Sequence, residues 1–253
     1  MDTKEHNQNI VDQFSKQAIP FTKLPGHLDA IQMLIEMAGL TNADNVLDIA
    51  CGPGLVLCEF AKTAKEAVGI DITEQMLTQA KIRQDSLDLN NITWTLGDVT
   101  NLPFEADSFS LVITRYSFHH FLDPEKVLSE MYRVCKPSGR ILIADLALPA
   151  DKINAFNAME KLRDSSHTKA LTFEQFDDLL QKFNLKNLKT TNYEVHIELE
   201  KQLKASFPVE GDEEKIRQLF ARDIRTNELG VNSCIVDGEI HYSYPISIFV
   251  GEK

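Results

Sequence analysis

From residue 45 to residue 147, short apolar stretches with strand character alternate with helical ones. The first runs directly into a glycine turn and a helical segment: Val46-Leu47-Asp48-Ile49-Ala50-Cys51-Gly52-Pro53-Gly54, then residues 55–64. This alternation constrains the fold most, because parallel strands need long crossovers and those crossovers are usually helices. Residues 45–50, 67–70, 92–96, 109–114 and 140–146 read as five buried strands. In the clearest helical stretch Asp123 is the cap and Pro124 suits the first turn. Val127, Leu128, Met131 and Val134 share one face, and Lys136-Pro137-Ser138-Gly139 reads as the closing turn. The expected fold is α/β: a seven-stranded Rossmann-like sheet, mostly parallel with the last strand antiparallel, and helices on both faces.

Flanking segments complete the layout. Residues 4–18 and 27–38 read as helices, the second with Leu28, Ile31, Leu34, Ile35 and Ala38 as its stripe and Gly39 at its end. Thr172 and Gln175 form a capping box for a helix ending near Phe183. Strands are expected at 188–199 and 240–250. Between them, residues 200–238 read as a lid insertion with an amphipathic helix carrying Ile216, Leu219, Phe220 and Ile224. No repeat or Pro/Gly-rich linker divides the chain, so residues 1–253 are expected to form one domain. With 43% apolar residues the chain can fill a core. Its best apolar run, 141–150, is broken by Asp145 and is far shorter than the roughly 20 residues of a membrane span. Asp2, Lys4 and Glu5 do not resemble a signal peptide, so a cytoplasmic protein is expected. The net charge of −12 argues against sequence-independent nucleic-acid binding. Cys51, Cys58, Cys135 and Cys234 lack the spacing of zinc or redox pairs and read as reduced structural thiols.

The glycine turn at the carboxyl end of the first strand is where open α/β sheets bind ligands. Taken alone it is also an ordinary tight turn. Asp71 closes the second strand 17 residues beyond Gly54, near the position of a ribose-binding acid, and Asp98 follows the third strand. Either could instead cap a helix or a turn. The NAD fingerprint lacks its third glycine, since Leu57 stands there, and no Gly-Lys-Ser or Gly-Lys-Thr follows the turn. An adenosine without phosphates and with a sulfonium cation suits a crevice lined by Asp48, Asp71 and Asp98.

These motifs, together with Leu102-Pro103-Phe104 before Phe109-Ser110-Leu111-Val112 and Arg133-Val134-Cys135-Lys136-Pro137-Ser138-Gly139-Arg140, resemble the class I S-adenosylmethionine-dependent methyltransferases. The resemblance is to the branch of ubiquinone and menaquinone methyltransferases and small-molecule O- and N-methyltransferases. Ala50 departs from it, since many members have glycine there. The resemblance implies S-adenosylmethionine as cofactor. Ala50, Gly52 and Gly54 would flank the methionine moiety, with Asp48 beneath. Asp71 would hold the ribose, with Ile72 beside it, and Asp98 and Val99 would bracket the adenine. Thr114 and Arg115 would pass near the sulfonium, and Phe14 and Phe21 would fold over the cofactor or serve as core aromatics.

Tyr116-Ser117-Phe118-His119-His120 follows the fourth strand, at the same sheet edge. A histidine there titrates near neutrality and suits general-base work, with Asp145 as its orienter. His120 and His119 are thus the candidate bases, and Tyr116 and His167 the candidate acceptor contacts. For His167 an exposed, idle loop position is the plainer reading. His6, His27, His196 and His241 show no ligand pattern and take no role. The expected function is methyl transfer to oxygen or nitrogen of a small-molecule acceptor. The alternatives are carbon methylation of a quinone-like ring, or a module that binds the cofactor without turnover. No nucleic-acid partner, membrane insertion or metal is expected, and a homodimer is left open.

Overall fold

The computed structural model describes residues 2–23 and 30–253, residues 21–23 by backbone alone. In chain order the central elements are β1 (Asn45–Ile49), α3 (Leu55–Ala61), β2 (Glu66–Asp71), α4 (Glu74–Ser86), β3 (Ile92–Leu96), β4 (Phe109–Arg115), α5 (Pro124–Val134) and β5 (Cys135–Leu148). Helices α1 (Thr3–Lys23) and α2 (Ile31–Ala38) precede them. After them come α6 (Ile153–Arg163), β6 (Leu171–Thr172), α7 (Phe173–Gln181), β7 (Lys186–Glu198), α8 (Leu199–Ser206), α9 (Asp212–Thr226), β8 (Cys234–Val236) and β9 (Glu239–Glu252).

The main sheet path is β3-β2-β1-β4-β5-β9-β7, parallel up to β5, with β9 antiparallel to both neighbours. These are the seven expected strands. Two short ones, β6 beside β5 and β8 beside β9, bring the sheet to nine. Strand alternation sorts the core into two layers. Val46, Leu111, Ile113 and Leu142 face Leu34, Leu57 and Phe60 of α2 and α3, and Phe156, Ile216 and Phe220 of α6 and α9. Leu47, Val112, Ile141 and Ile143 face Val127, Leu128 and Met131 of α5 and Phe176 and Leu180 of α7. Removing one such aromatic, Phe60 for instance, costs about 3–5 kcal/mol, because transfer and cavity terms add.

Local signals explain the helix ends. Asp123 accepts from Lys126 N–H at 3.0 Å, and Thr172 with Gln175 makes both bonds of its capping box. Four expectations change. Residues 136–139 are an excursion within β5: Cys135 pairs with Phe109 and Arg140 with Leu111, and Ser138 takes φ +61°. The chain end holds this bulge, since Ser138 N–H donates to the Lys253 carbonyl and Lys253 N–H to that of Gly139. Helix α1 runs on through Pro20, where one missing N–H near a helix end is tolerated. Helix α2 begins at Ile31, and the expected start at His27 lies outside the described residues. Finally, residues 153–163 form a helix that periodicity did not expose, because its buried face ends in Glu160 and Arg163.

Candidate active site

A cavity of about 440 Å³ opens at the carboxyl ends of the parallel strands, within the size range of small-molecule sites. At one end Ala50 and Gly52 follow β1, Asp71 ends β2 with Ile72 just after it, and Asp98 and Val99 follow β3. Gly52 sits at φ +52°, and an added Cβ would meet nothing within 4 Å, so its backbone faces open space. Its N–H donates to Asp71 Oδ2 and that of Thr73 to Oδ1, each at 2.8 Å, which locks the two loops together. Ala50 takes φ +51°, a left-handed position where a Cβ costs about 1 kcal/mol and glycine nothing. Gly54 differs. A Cβ there would lie 2.7 Å from Trp94 and 3.1 Å from Ala80, so this glycine lets α3 approach α4 and β3 and does not line the cavity.

Asp48 lies beneath the loop, 2% exposed, and does not line the cavity. Burial first, then Asp71, push its carboxyl well above the usual range against the pull of Arg115; burial raises Asp71 as well. Asp98 accepts from Thr100 N–H and hydroxyl at 2.8 Å, and from Asn7 Nδ2 of α1 at 2.7 Å. Thr114 donates its hydroxyl to the Ile49 carbonyl, away from the cavity, whereas Arg115 and Tyr116 line it. Phe14 lines it too, with its ring edge on His120. Phe21 lies outside the residues whose side chains are described.

The other end holds the titratable groups. Asp145, at the carboxyl end of β5, accepts from Phe118 N–H at 2.8 Å, Leu146 N–H at 2.7 Å and His119 Nδ1 at 2.6 Å. A carboxylate only accepts, so His119 carries hydrogen on Nδ1, and in its neutral form the lone pair is on Nε2. Burial works to lower the pKa of His119, but Asp145 outweighs it and the net shift is upward. His120 does not touch Asp145. Its Nδ1 donates to the Ser166 carbonyl at 3.1 Å, and burial, with His119 adding, pulls it down to about 4. The two rings lie 4.2 Å apart between centroids. The Asp145 pairing thus distinguishes two histidines that the sequence left equivalent.

His167 needs correction: it is buried, not exposed, and it is not placed to contact an acceptor in the cavity. It is 4% exposed, donates from Nε2 to Asn157 Oδ1 of α6 at 2.7 Å, and stands behind His119 without lining the cavity. Burial and the neighbouring imidazoles depress it strongly. His6, given no role, lines the cavity from α1 and donates Nε2–H to the His120 carbonyl at 2.7 Å. Glu160, Arg163 and Asp164, at the end of α6, line it too, as do Gln17, Gln202 and Tyr244. A signal was present for some of these: Ile153, Phe156 and Met159 form a stripe that Glu160 and Arg163 continue at helical spacing. Among the described residues, no group of three or more His, Cys, Asp or Glu is placed to hold a metal ion.

Comparison with known proteins gives a consistent result. Residues 40–217 match the family described as methyltransferase domain. The uncharacterized methyltransferase YcgJ of Bacillus subtilis is 30% identical over 186 residues, covering 68% of this chain and 74% of the relative. The crystal structure of a B. subtilis protein of that name superposes with a TM-score of 0.82 at 24% identity, covering 90% of this chain and 99% of the other. The demethylmenaquinone methyltransferase of Renibacterium salmoninarum is 30% identical over 118 residues, 47% of this chain, and the chain spans about half of that relative's length. Phosphoethanolamine N-methyltransferase 2 of Haemonchus contortus, in complex with S-adenosyl-L-methionine, has a TM-score of 0.65 at 18% identity. That match covers 91% of this chain and 53% of the other.

Proposed function

The chain belongs to the methyltransferase-domain family, and from that membership we propose that it moves the methyl group of S-adenosylmethionine to an oxygen or nitrogen of a small-molecule acceptor, with His119 as base. One observation carries the reading: the acid-lined glycine rim and the His119–Asp145 pair open onto the same cavity. Bound there, S-adenosylmethionine supplies an electrophilic methyl group on a sulfonium cation. Asp71, already oriented by two backbone N–H groups, offers its remaining lone pairs to ribose hydroxyls. Asp98, Val99 and Ile72 border the adenine side, and Gly52 leaves room for the methionine moiety. Asp71 and Arg115, which both line the cavity, match a ligand carrying both a cation and a carboxylate.

Displacement at a methyl carbon is in-line, so positioning in a site closed to water contributes most of the acceleration. Helix α1 supplies that closure through Asn7 on Asp98 and His6 on the His120 carbonyl. His119 takes the acceptor's proton at Nε2, and Asp145 holds its ring and stabilises the imidazolium that forms. His120 packs between His119 and Phe14 and positions the base. Residues 1–40 would cover the cofactor, 45–147 hold it and 200–238 close the acceptor end, all within one domain spanning 1–253. No helix among the described residues is long and apolar enough to cross a membrane.

Calorimetry with S-adenosylhomocysteine tests the first half: binding is expected, weakened by Asp71→Ala, and a flat titration would refute the reading. A second reading, carbon methylation of a quinone-like ring, has support in the name of the demethylmenaquinone relative. Mass analysis of products from quinols and from phenols or amines would separate the two.

A further inference from the structure

Two buried side chains at the acceptor end carry hydrogen-bond acceptors that no donor among the described residues reaches. His6 donates Nε2–H to the His120 carbonyl at 2.7 Å, which leaves Nδ1 as a lone pair, buried and without a partner. Gln202 donates from Nε2 to Ser206 Oγ at 3.3 Å. Ser206 directs its own hydrogen to the Gln202 carbonyl at 2.7 Å and accepts from Arg163 Nη1 at 2.9 Å, so the Gln202 amide cannot be turned round. Its Oε1 is therefore the atom left unpartnered. His6 and Gln202 are 2% and 8% exposed, and both line the cavity. A buried acceptor without a donor costs about 1–3 kcal/mol, which a ligand that supplies the donor recovers.

The charge balance agrees. Arg163 is already neutralised: Glu160 takes its Nε at 3.0 Å and its Nη2 at 2.5 Å, and also accepts from the Tyr244 hydroxyl. Among the described residues, Asp164 has Ser166, Gln17 at 3.4 Å, a distant Arg163 at 4.0 Å and the neighbouring His120 imidazole as its partners. With His120 drawn down to about 4 and therefore uncharged near neutrality, Glu160, Asp164 and Arg163 together carry two carboxylates against one guanidinium, a formal surplus of one buried negative charge. Both orphan acceptors connect to Asp164, Gln202 through Ser206 and Arg163, and His6 through His120 and Ser166.

We propose that the methyl acceptor is an amine, bound as its ammonium ion with Asp164 as counter-charge and with Gln202 Oε1 and His6 Nδ1 accepting its N–H groups. This rests on the methyl-transfer reading and names its substrate class. His119 Nε2 removes one N–H proton, and the freed nitrogen lone pair forms the new N–C bond. The methyl–sulfur bond breaks with its electron pair remaining on sulfur, and the product leaves as the methylated ammonium while His119 returns its proton to solvent. A carboxylate or phenolate would meet the Asp164 charge, and a neutral quinol would leave that charge without a counter-ion.

The test uses the full chain with isotope-labelled S-adenosylmethionine and four acceptor pools: primary and secondary alkylamines, phenols, carboxylates and reduced naphthoquinones. Label is expected in the amine pool. Asp164→Asn should raise the KM for the labelled amine by about tenfold to a hundredfold, with the affinity for S-adenosylhomocysteine unchanged. Gln202→Leu, which removes the unpartnered Oε1 and one long bond to Ser206 whose hydroxyl keeps its bonds to Arg163 and to the backbone carbonyl of residue 202, should raise that KM with the melting temperature little changed. No label in amines, or an amine KM that neither variant moves, overturns the proposal. If S-adenosylhomocysteine binds and only phenols or quinols are labelled, this proposal alone fails; if it does not bind, the underlying transfer reading fails with it.

Discussion

Asp145→Asn tests the proposed base most directly, because the structure dictates what an amide can and cannot satisfy there. The carboxylate accepts three N–H groups, from Phe118 on Oδ2 and from His119 and Leu146 on Oδ1. Asparagine has one acceptor oxygen. With that oxygen on the Oδ1 side, its NH2 opposes the Phe118 N–H; turned round, the NH2 opposes Leu146 N–H and donates to His119 Nδ1, which moves the imidazole hydrogen to Nε2. Either way a buried N–H loses its partner at a cost of about 1–3 kcal/mol, or roughly 2–12 °C of melting temperature for a chain of this size. The charge that chiefly raises the His119 pKa is also gone, so burial, the largest influence on the ring, is opposed by Glu160 only, and its basicity falls. Loss of a general base contributes a drop in kcat of about 10² to 10⁴. The assay follows S-adenosylhomocysteine release with a turned-over acceptor, alongside calorimetry for S-adenosylhomocysteine, whose Kd should stay within about twofold because Asp145 is outside the cofactor rim. A kcat within about threefold of wild type would refute the assignment, as would a Kd that worsens as much as kcat falls.

Other outcomes follow from the same geometry. Since Asp145 raises the His119 pKa above 6.5, kcat/KM should climb with pH through a value above 6.5. The stability from that pair is full below 6.5 and fades as pH rises through the folded value, which proton titration by NMR would locate. His120 works in the opposite sense: drawn down to about 4, it contributes stability above pH 6.5 that is lost as pH falls toward 4, so His120→Asn should flatten the acid side of the melting profile. Gly52→Ala should weaken S-adenosylhomocysteine binding with a stability change of about 1 kcal/mol, whereas Gly54→Ala, with Trp94 at 2.7 Å, should lower the melting temperature more than it changes affinity. Asp71→Asn should weaken S-adenosylhomocysteine by about tenfold to a hundredfold, read by calorimetry.

The sheet and its rim were legible because their causes are local. Strand periodicity, the Gly52–Gly54 turn, the Asp123 cap and the Thr172 capping box all act within a few residues of chain. The acceptor end was not, since its residues meet across long separations: His6 with His120, Gln17 with Asp164, Tyr244 with Glu160. Helix α6 escaped notice for a related reason: charged residues occupy core-facing positions there, and a hydrophobic pattern does not register them. Likewise nothing in adjacent His119 and His120 reveals which one meets Asp145; the short 3₁₀ turn Phe118–His120 decides it by pointing the rings to different partners.

Asp145 pairs with Ser247 of β9, in the one antiparallel seam that β5 makes. Side chains alternate faces along a strand, so slipping that seam by a single residue would alter the support of the carboxylate while leaving the overall amount of helix and sheet untouched. Turnover is therefore a stricter gauge of correct threading than circular dichroism: refolded material can match the native spectrum and still be inert, its last long strand misaligned by 3.4 Å or so.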